Sequence, residues 1–469
     1  MNQHQDERIA KLTVDENESI KATMQAIDNG TLGIAFLVNA DGKFAGLVTD
    51  GDIRGAILRG VRIESPIREI MNTNPVVIHD KLTEEELLAL QNREPIKSRF
   101  AIGYSLKIPI LDSESRVKDI IILHRGGGIS LLSQSGARVW GAVKKVLVIG
   151  CAGYLGSVLT RLLMSKGFIV HGLDNLMYGD YGIKELYEKQ GFNFIEGDVR
   201  DIKVLMNSIK GCDAVIHLAA IVGDPACKLD AEETISINYL ATKMITEVCK
   251  YSQINRLLFA STCSVYGASE TPGSLITEDS PLNPVSLYAE MKIKSEIAIL
   301  EAMDDNFSPT ILRMATLYGL SPRMRFDLVV NLLTARAATE GEITIFGGEQ
   351  WRPLVHVSDA ASAFVRCLET PIEEVRGQFF NVGSNEQNYK ILELGTILQS
   401  IIPNVQLERR GDVVDERNYS VAFDKISNTL GYKTKRTIKD GILEIKRSFD
   451  KGIIADYKDK RYSNYESLL

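Results

Sequence analysis

Cysteine is sparse and scattered in this 469-residue sequence. The six thiols, Cys151, Cys212, Cys227, Cys249, Cys263 and Cys367, form no Cys-x-x-Cys pair. That excludes a disulfide framework or a structural zinc site and reads as reduced thiols in a cytoplasmic protein. No apolar run approaches the roughly 18 residues of a membrane span. The first dozen residues are polar, carry Asp6, Glu7, Arg8 and Lys11, and lack the apolar stretch of a secretory signal. Metal-ligand spacing is missing throughout. There is no excess of positive charge: 54 Lys plus Arg against 61 Asp plus Glu leave a net charge of -7, which argues against nucleic acid as a main partner. The chain is 45% hydrophobic and 25% charged, so it is not a disordered one. Its length suggests about two to four domains.

Residues 1–125 read as two copies of one small pattern. Ser19–Asn29 spaces Ile20, Met24 and Ile27 as a helix, then come the apolar runs Ile34–Val38 and Phe44–Val48, split by a turn at Asp41-Gly42, and a helix starting at Asp52. The pattern returns as Pro75–Ile78, a helix near Thr83–Asn92, and the runs Ile108–Leu111 and Val117–Leu123. Paired strands flanked by helices predict an α+β unit in which both copies share a core. Gly126-Gly127-Gly128 opens a linker over 126–143, with Trp140 expected to pack on a neighbouring domain.

From Lys144 the fold class is α/β. Strands at Val146–Ile149, Ile169–Leu173, Ala214–Leu218, Leu257–Ala260 and Pro309–Arg313 alternate with helical stretches. This predicts a Rossmann-type doubly wound parallel sheet over about 144–315 and a small C-terminal lobe over about 316–450. The first strand runs into Gly150-Cys151-Ala152-Gly153-Tyr154-Leu155-Gly156 and a helix, Ser157–Lys166. Glycines before a helix N-terminus let backbone approach a pyrophosphate, although a tight strand–helix turn has the same pattern. Asp174 ends the second strand, 24 residues after Gly150, where a carboxylate accepts from ribose hydroxyls and repels a 2′-phosphate. No Arg or Lys lies between Asp174 and Gly179, which favours NAD over NADP. Asn175 follows directly. Asp198, before Val199, reads as an adenine-side residue, a helix N-cap, or both.

Tyr288 and Lys292 share one helix face at i and i+4. The lysine charge is expected to lower the tyrosine pKa for proton exchange near neutral pH. Thr262 stands where the strand Leu257–Ala260 runs out.

Here the sequence resembles the extended short-chain dehydrogenase/reductases that act on nucleotide sugars, over about residues 144–450. The matching positions are the glycine triplet, Asp174, Gly197-Asp198-Val199, His217-Leu218-Ala219-Ala220, Asn238, Thr262, Tyr288 and Lys292. The resemblance implies NAD as cofactor, with Leu218, Ala219, Ala220 and Asn238 among its neighbours. It also implies a homodimer built on a helix bundle. Tyr288 would take a proton from a sugar hydroxyl, usually at C4, with Thr262 bonded to the same oxygen and Lys292 holding the nicotinamide ribose. Relatives that dehydrate the sugar carry Asp-Glu after the threonine. Cys263 and Ser264 stand there instead, which favours a C4 epimerase or oxidoreductase working through a 4-keto sugar. Leu317–Asp327, Trp351–Val357 and Asp415–Tyr419 look close to a subgroup that includes GDP-heptose enzymes. A C4 dehydrogenase, a 4,6-dehydratase and a non-catalytic NAD or adenylate sensor stay open. Arg325, Arg352 and Arg417 are candidates for the substrate diphosphate, with Thr316 near it. His356 reads as structural.

In the N-terminal region, Gly46-Leu47-Val48-Thr49-Asp50-Gly51-Asp52 resembles the signature of cystathionine β-synthase (CBS) domains, and the repeat looks like a CBS pair. The resemblance implies AMP or ATP there, with Thr49 at the phosphate and Asp52 at the ribose. A pair that only packs or dimerises is the other reading.

Overall fold

The computed structural model describes residues 9–30, 32–79, 106–123, 129–131, 138–139, 143–268, 274–304, 306–411 and 417–469. They fall into two units, Met1–Gly141 and Ala142–Leu469.

In the first unit, β1 (Thr13–Asp15) runs parallel to β2 (Ile34–Val38), and β2 pairs antiparallel with β3 (Phe44–Thr49). The expected turn between them is closed by Asn39, whose Oδ1 accepts from the amides of Asp41 and Lys43, both at 3.0 Å. Helix α1 (Ile20–Gly30) presses Ile20 and Ile27 against Ala35, Leu37 and Val48. Helix α2 (Asp50–Leu58) starts two residues before the expected Asp52, because Thr49 is its cap. The second copy supplies β4 (Ile78–His79) and the antiparallel pair β5 (Leu106–Leu111) and β6 (Val117–Leu123). Ile120 and Ile122 of this copy join Ile34, Phe36 and Leu47 of the first in one cluster. The helix expected near Thr83–Asn92 and Trp140 lie outside the described residues.

One boundary needs correction. Within the supposed linker 126–143, β7 (Ile129–Leu131) and β8 (Arg138–Val139) continue the sheet antiparallel from β6. Strands of three and two residues are too short to show a period, yet their backbone groups satisfy those of the β6 edge.

The second unit is built on seven parallel strands in the order β11-β10-β9-β12-β13-β15-β19. They are β9 (Lys145–Ile149), β10 (Ile169–Asp174), β11 (Phe192–Glu196), β12 (Ala214–His217), β13 (Arg256–Thr262), β15 (Ser308–Met314) and β19 (Phe379–Val382); a short β14 (Leu275–Ile276) lies outside this sheet. β9 alternates Val146 and Val148 into one core cluster with Leu147 and Ile149 into another, so both sheet faces are covered. Strand order reverses beside β9, and there the carboxyl ends of β9 and β12 open a crevice. Helices α3 (Tyr154–Ser165), α4 (Ile202–Ser208), α5 (Ala241–Tyr251) and α6 (Leu287–Glu301) fill the connections. After residue 315 the chain builds small sheets, β16 (Thr316–Tyr318) with β18 (Trp351–His356) and β20 (Asn388–Lys390), and β17 (Glu342–Phe346) with β21 (Gln406–Arg410). Their lobe has its own apolar cluster, including Ile343, Leu354, Leu394 and Ile442. Among the described residues no helix is long and apolar enough to cross a membrane.

Candidate active site

The crevice leads into a cavity of about 810 Å³. Its first wall is the turn after β9. Gly150 adopts φ +89°, and a Cβ there would stand 2.7 Å from the Ala219 amide nitrogen. At Gly156 an added Cβ would lie 2.0 Å from the Gly150 carbonyl oxygen, so the first turn of α3 can lie against the loop only without one. Gly153 is the N-cap of α3 and offers no side-chain cap, which leaves the helix N–H groups and dipole to an anion. Tyr154, Leu155, Leu218, Ala219 and Ala220 line the same space.

Asp174 closes β10. Its Oδ2 accepts from the Ala152 amide and its Oδ1 from the Leu176 amide, both at 2.9 Å, so the carboxylate is fixed beside the glycine turn with lone pairs left over. Burial raises its pKa. Asn175, Asp198 and Val199 continue this wall. Asp198 is not the cap of α4: Asp201 is, accepting from Lys203 and Val204. Asp198 instead forks onto Arg200, at 2.9 and 2.7 Å, and that hydrogen bond lowers its pKa. Arg200 also meets Glu233 at 2.7 Å, so two carboxylates already hold this cation. Bare glycines, an uncapped helix start and an oriented aspartate fit a dinucleotide whose ribose carries free hydroxyls.

The second wall carries the polar triad. Thr262 ends β13, and its Oγ1 accepts from the Ser264 amide at 3.1 Å. Ser286 caps α6, which places Tyr288 and Lys292 one turn apart. Tyr288 and Thr262 line the same cavity, and Thr262 acts to lower the pKa of the phenol. The Lys292 Nζ donates to the Ala260 carbonyl at 2.8 Å and lies 4.6 Å from the Phe259 ring centroid and 5.8 Å from that of Tyr288. Burial lowers the Lys292 pKa to about 8. The expected depression of the tyrosine pKa is not what the fold produces. Burial raises the Tyr288 pKa above that of an ordinary phenol, and desolvation outweighs the lowering influence of the Arg325 charge and of Thr262.

Asn238 does not line the cavity. It sits in a five-residue π-helical segment, Ser236–Leu240, and exchanges both of its side-chain hydrogen bonds with Ile221, at 2.8 and 2.9 Å. Its carbonyl accepts from Ser295 of α6 at 2.7 Å, so one residue ties the loop after β12 to the helix of Tyr288. Cys263 is buried, donates to the Arg313 carbonyl at 3.3 Å and has a pKa raised by burial, as suits a packing residue. His356 bridges Ser358 and Glu444, both at 2.7 Å.

Thr316, Arg325, Arg352 and Arg417 reach the cavity too. Arg325 forks onto Asp327 at 2.9 and 2.8 Å. Arg352 donates to the carbonyls of Trp351 and Arg417, and Arg417 meets Asp224 at 3.1 Å. Asp415 and Glu416 lie outside the described residues. The structure adds lining residues that the sequence did not single out: Tyr178, Asp224, Asp327, Arg323 and Asn464. Only Arg323 carried a signal, its Arg-x-Arg spacing with Arg325. In the first unit, Thr49 and Asp52 form a capping box: Asp52 Oδ2 accepts from the Thr49 hydroxyl at 2.7 Å and the Thr49 amide at 2.9 Å. Among the described residues no three potential metal ligands gather.

Comparison with known proteins agrees with this architecture. The chain is 29% identical over 338 residues to a UDP-glucose 4-epimerase of Lactobacillus helveticus, covering 67% of this chain and all of that one. It is 28% identical to a dTDP-glucose 4,6-dehydratase of an Actinoplanes strain, over 64% of this chain and 96% of that one. A crystal structure of UDP-glucuronic acid 4-epimerase from Bacillus cereus with UDP-glucuronic acid and NAD superposes at a TM-score of 0.57 and 25% identity, covering 66% of this chain and 99% of that one. A CBS-domain model matches residues 9–59. Residues 146–383, half of the chain, match the NAD dependent epimerase/dehydratase family, and the protein belongs to that family, with a CBS domain ahead of its catalytic unit.

Proposed function

We propose that the protein interconverts nucleotide sugars at C4 through a 4-keto sugar, with NAD as hydride acceptor and donor. The observation that carries this reading is the meeting of Thr262, Tyr288 and Lys292 with the glycine turn and Asp174 around one cavity. NAD, when bound, supplies the redox chemistry. Tyr288 takes the proton of the C4 hydroxyl as the carbinol is oxidised and returns it on reduction. Thr262 bonds that oxygen and orients it, and the Lys292 ammonium favours the phenolate. Arg325, Arg352 and Arg417 hold the diphosphate of the sugar nucleotide. Cys263 is buried and Ser264 lines the cavity, and neither supplies the carboxylic acid that loss of the C6 hydroxyl requires.

A panel of UDP-, dTDP- and GDP-sugars in deuterium oxide tests the reading. An epimerase yields the C4 epimer without carbon-bound deuterium and without net NADH. A dehydratase yields a 4-keto-6-deoxy sugar with deuterium at C5, and a dehydrogenase releases the ketone with stoichiometric NADH; either overturns the epimerase assignment. Tyr288→Phe is expected to lower kcat by about 100- to 10,000-fold while NADH still binds. Normal turnover in that variant would refute the mechanism.

The proposal includes an adenine nucleotide, AMP or ATP, on the N-terminal unit at Thr49 and Asp52. Their place at the head of α2 supports it, since a helix N-terminus favours an anion. Titration with AMP and ATP, followed by calorimetry and by kcat, tests it. Absence of binding leaves the capping box as the only work of these two residues.

A further inference from the structure

Among the described residues, Arg323 ranks first by volume of the fully buried side chains, at 1% exposure. Two other buried arginines of this unit have acceptors for their guanidinium groups. Arg256 donates to the carbonyls of Cys367, Leu368 and Thr370, and Arg313 forks onto Glu296. Arg323 differs. Among the described residues its Nε and Nη2 have no hydrogen-bond partner. Its carbon Cζ stands 4.6 Å from the centre of the Tyr178 ring, and its charge acts on the Tyr181 phenol, whose hydroxyl donates to the Arg461 carbonyl at 2.6 Å. Leaving a buried cation without a carboxylate is costly, so a folded chain that keeps one has a use for it.

The position says which use. A Cβ at Gly182 would lie 2.7 Å from the Ala152 carbonyl oxygen and 2.9 Å from Arg323 Cβ, so the stem of Arg323 sits one bare glycine away from the cofactor turn. Its charge also acts on the Asp174 carboxyl. Arg323 and Tyr178 both line the cavity. The open donors Nε and Nη2 form one edge of the guanidinium plane, the edge that meets two oxygens of a phosphate in parallel. Asp174 already accepts two amide hydrogens there, and its sign matches ribose hydroxyls. The open edge is therefore expected to meet an anion at the glycine turn, where the dinucleotide's diphosphate belongs.

We infer that Arg323 is a ligand for the diphosphate of the dinucleotide, reaching the cofactor from the loop that follows β16, with its guanidinium against the Tyr178 ring. The inference rests on the cofactor placement above and is independent of the sugar. It separates Arg323 from Arg325, two residues on, whose guanidinium is already forked onto Asp327.

The test uses the full chain stripped of cofactor, with Arg323→Met and Arg323→Lys beside the wild type. NADH binding is followed by nicotinamide fluorescence and stability by thermal unfolding. The Met variant is expected to bind NADH about 10- to 100-fold more weakly, the loss of a charge-assisted bidentate contact. Without NADH it is expected to unfold no lower than the wild type, because the buried cation is gone. The Lys variant recovers part of the affinity. Three results overturn the inference: NADH affinity within twofold of wild type, a Met variant that melts well below wild type without cofactor, or a change confined to KM for the nucleotide sugar. A wild type that fails to bind NADH overturns instead the cofactor placement on which the inference rests.

Discussion

Replacing Lys292 by Met removes one buried positive charge from beside the phenol at nearly constant volume. With the ammonium 5.8 Å from the Tyr288 ring centre, 332/(20 × 5.8) gives about 3 kcal/mol of attraction for a phenolate at an effective dielectric of about 20. That corresponds to about two pKa units. If turnover passes through a proton held by Tyr288, kcat of the Met variant at pH 7 falls about a hundredfold. The wild-type profile has a second signature. Lys292, lowered by burial to about 8, is charged below that pH and neutral above it. Wild-type kcat is therefore expected to decline above pH 8, and the Met variant to lack that decline. The folded protein holds this proton less well than the unfolded chain, so the group's contribution to stability rises with pH between about 8 and the ordinary lysine range. The assay is kcat from pH 6 to 10 at saturating NAD and substrate, with NADH affinity measured separately. A Met variant within threefold of wild-type kcat at pH 7, or with the same alkaline limb, would refute the electrostatic role.

Three further outcomes follow from packing. Gly156→Ala puts a methyl 2.0 Å from the Gly150 carbonyl oxygen, so the glycine turn must open and NADH affinity is expected to fall at least tenfold by fluorescence titration. Glu296→Gln leaves Arg313 buried without its carboxylate, which accepts from it at 3.1 and 2.7 Å; a loss of about 3–5 kcal/mol in denaturant unfolding of the second unit is expected. Thr49→Ala removes the capping hydroxyl of α2, costs about 1 kcal/mol in the first unit's unfolding, and leaves NADH affinity unchanged.

The parts legible in the sequence are those fixed by local rules. β9 and α3 stand out because four apolar residues, three glycines and a helical pattern lie next to each other. The Tyr288–Lys292 face follows from helical spacing alone. Asp174 could be placed because the strand before it is short and apolar. Long-range partners decide the rest. Nothing near Asp198 shows that Arg200 reaches on to Glu233, 33 positions away. Trp351 and Arg352 are tied to Asn418 and Arg417 across more than 60 residues. The sign of the Tyr288 shift was also out of reach, since it depends on how much water the lobe after residue 315 excludes, and a local lysine cannot report that.

Pairing sets two buried cations of the cavity wall apart from the Glu296–Arg313 pair. Glu296 and Arg313 are joined by two hydrogen bonds, and Glu296 also accepts from Ser261 at 2.5 Å. Such a closed set holds β13, β15 and α6 in register and has nothing left to offer a ligand. Lys292 has a backbone carbonyl and an aromatic face, and Arg323 has the Tyr178 ring, with no carboxylate forked onto either among the described residues. A cation held this way costs stability, because its charge is desolvated without a carboxylate hydrogen-bonded to it. Both stand on the cavity wall, one at the phenol and one at the glycine turn. A fold under selection for stability alone would replace them with methionine or leucine. Their retention at the two places where negative charge arrives, the phenolate and the dinucleotide's phosphates, is accounted for if binding and turnover supply the missing partner.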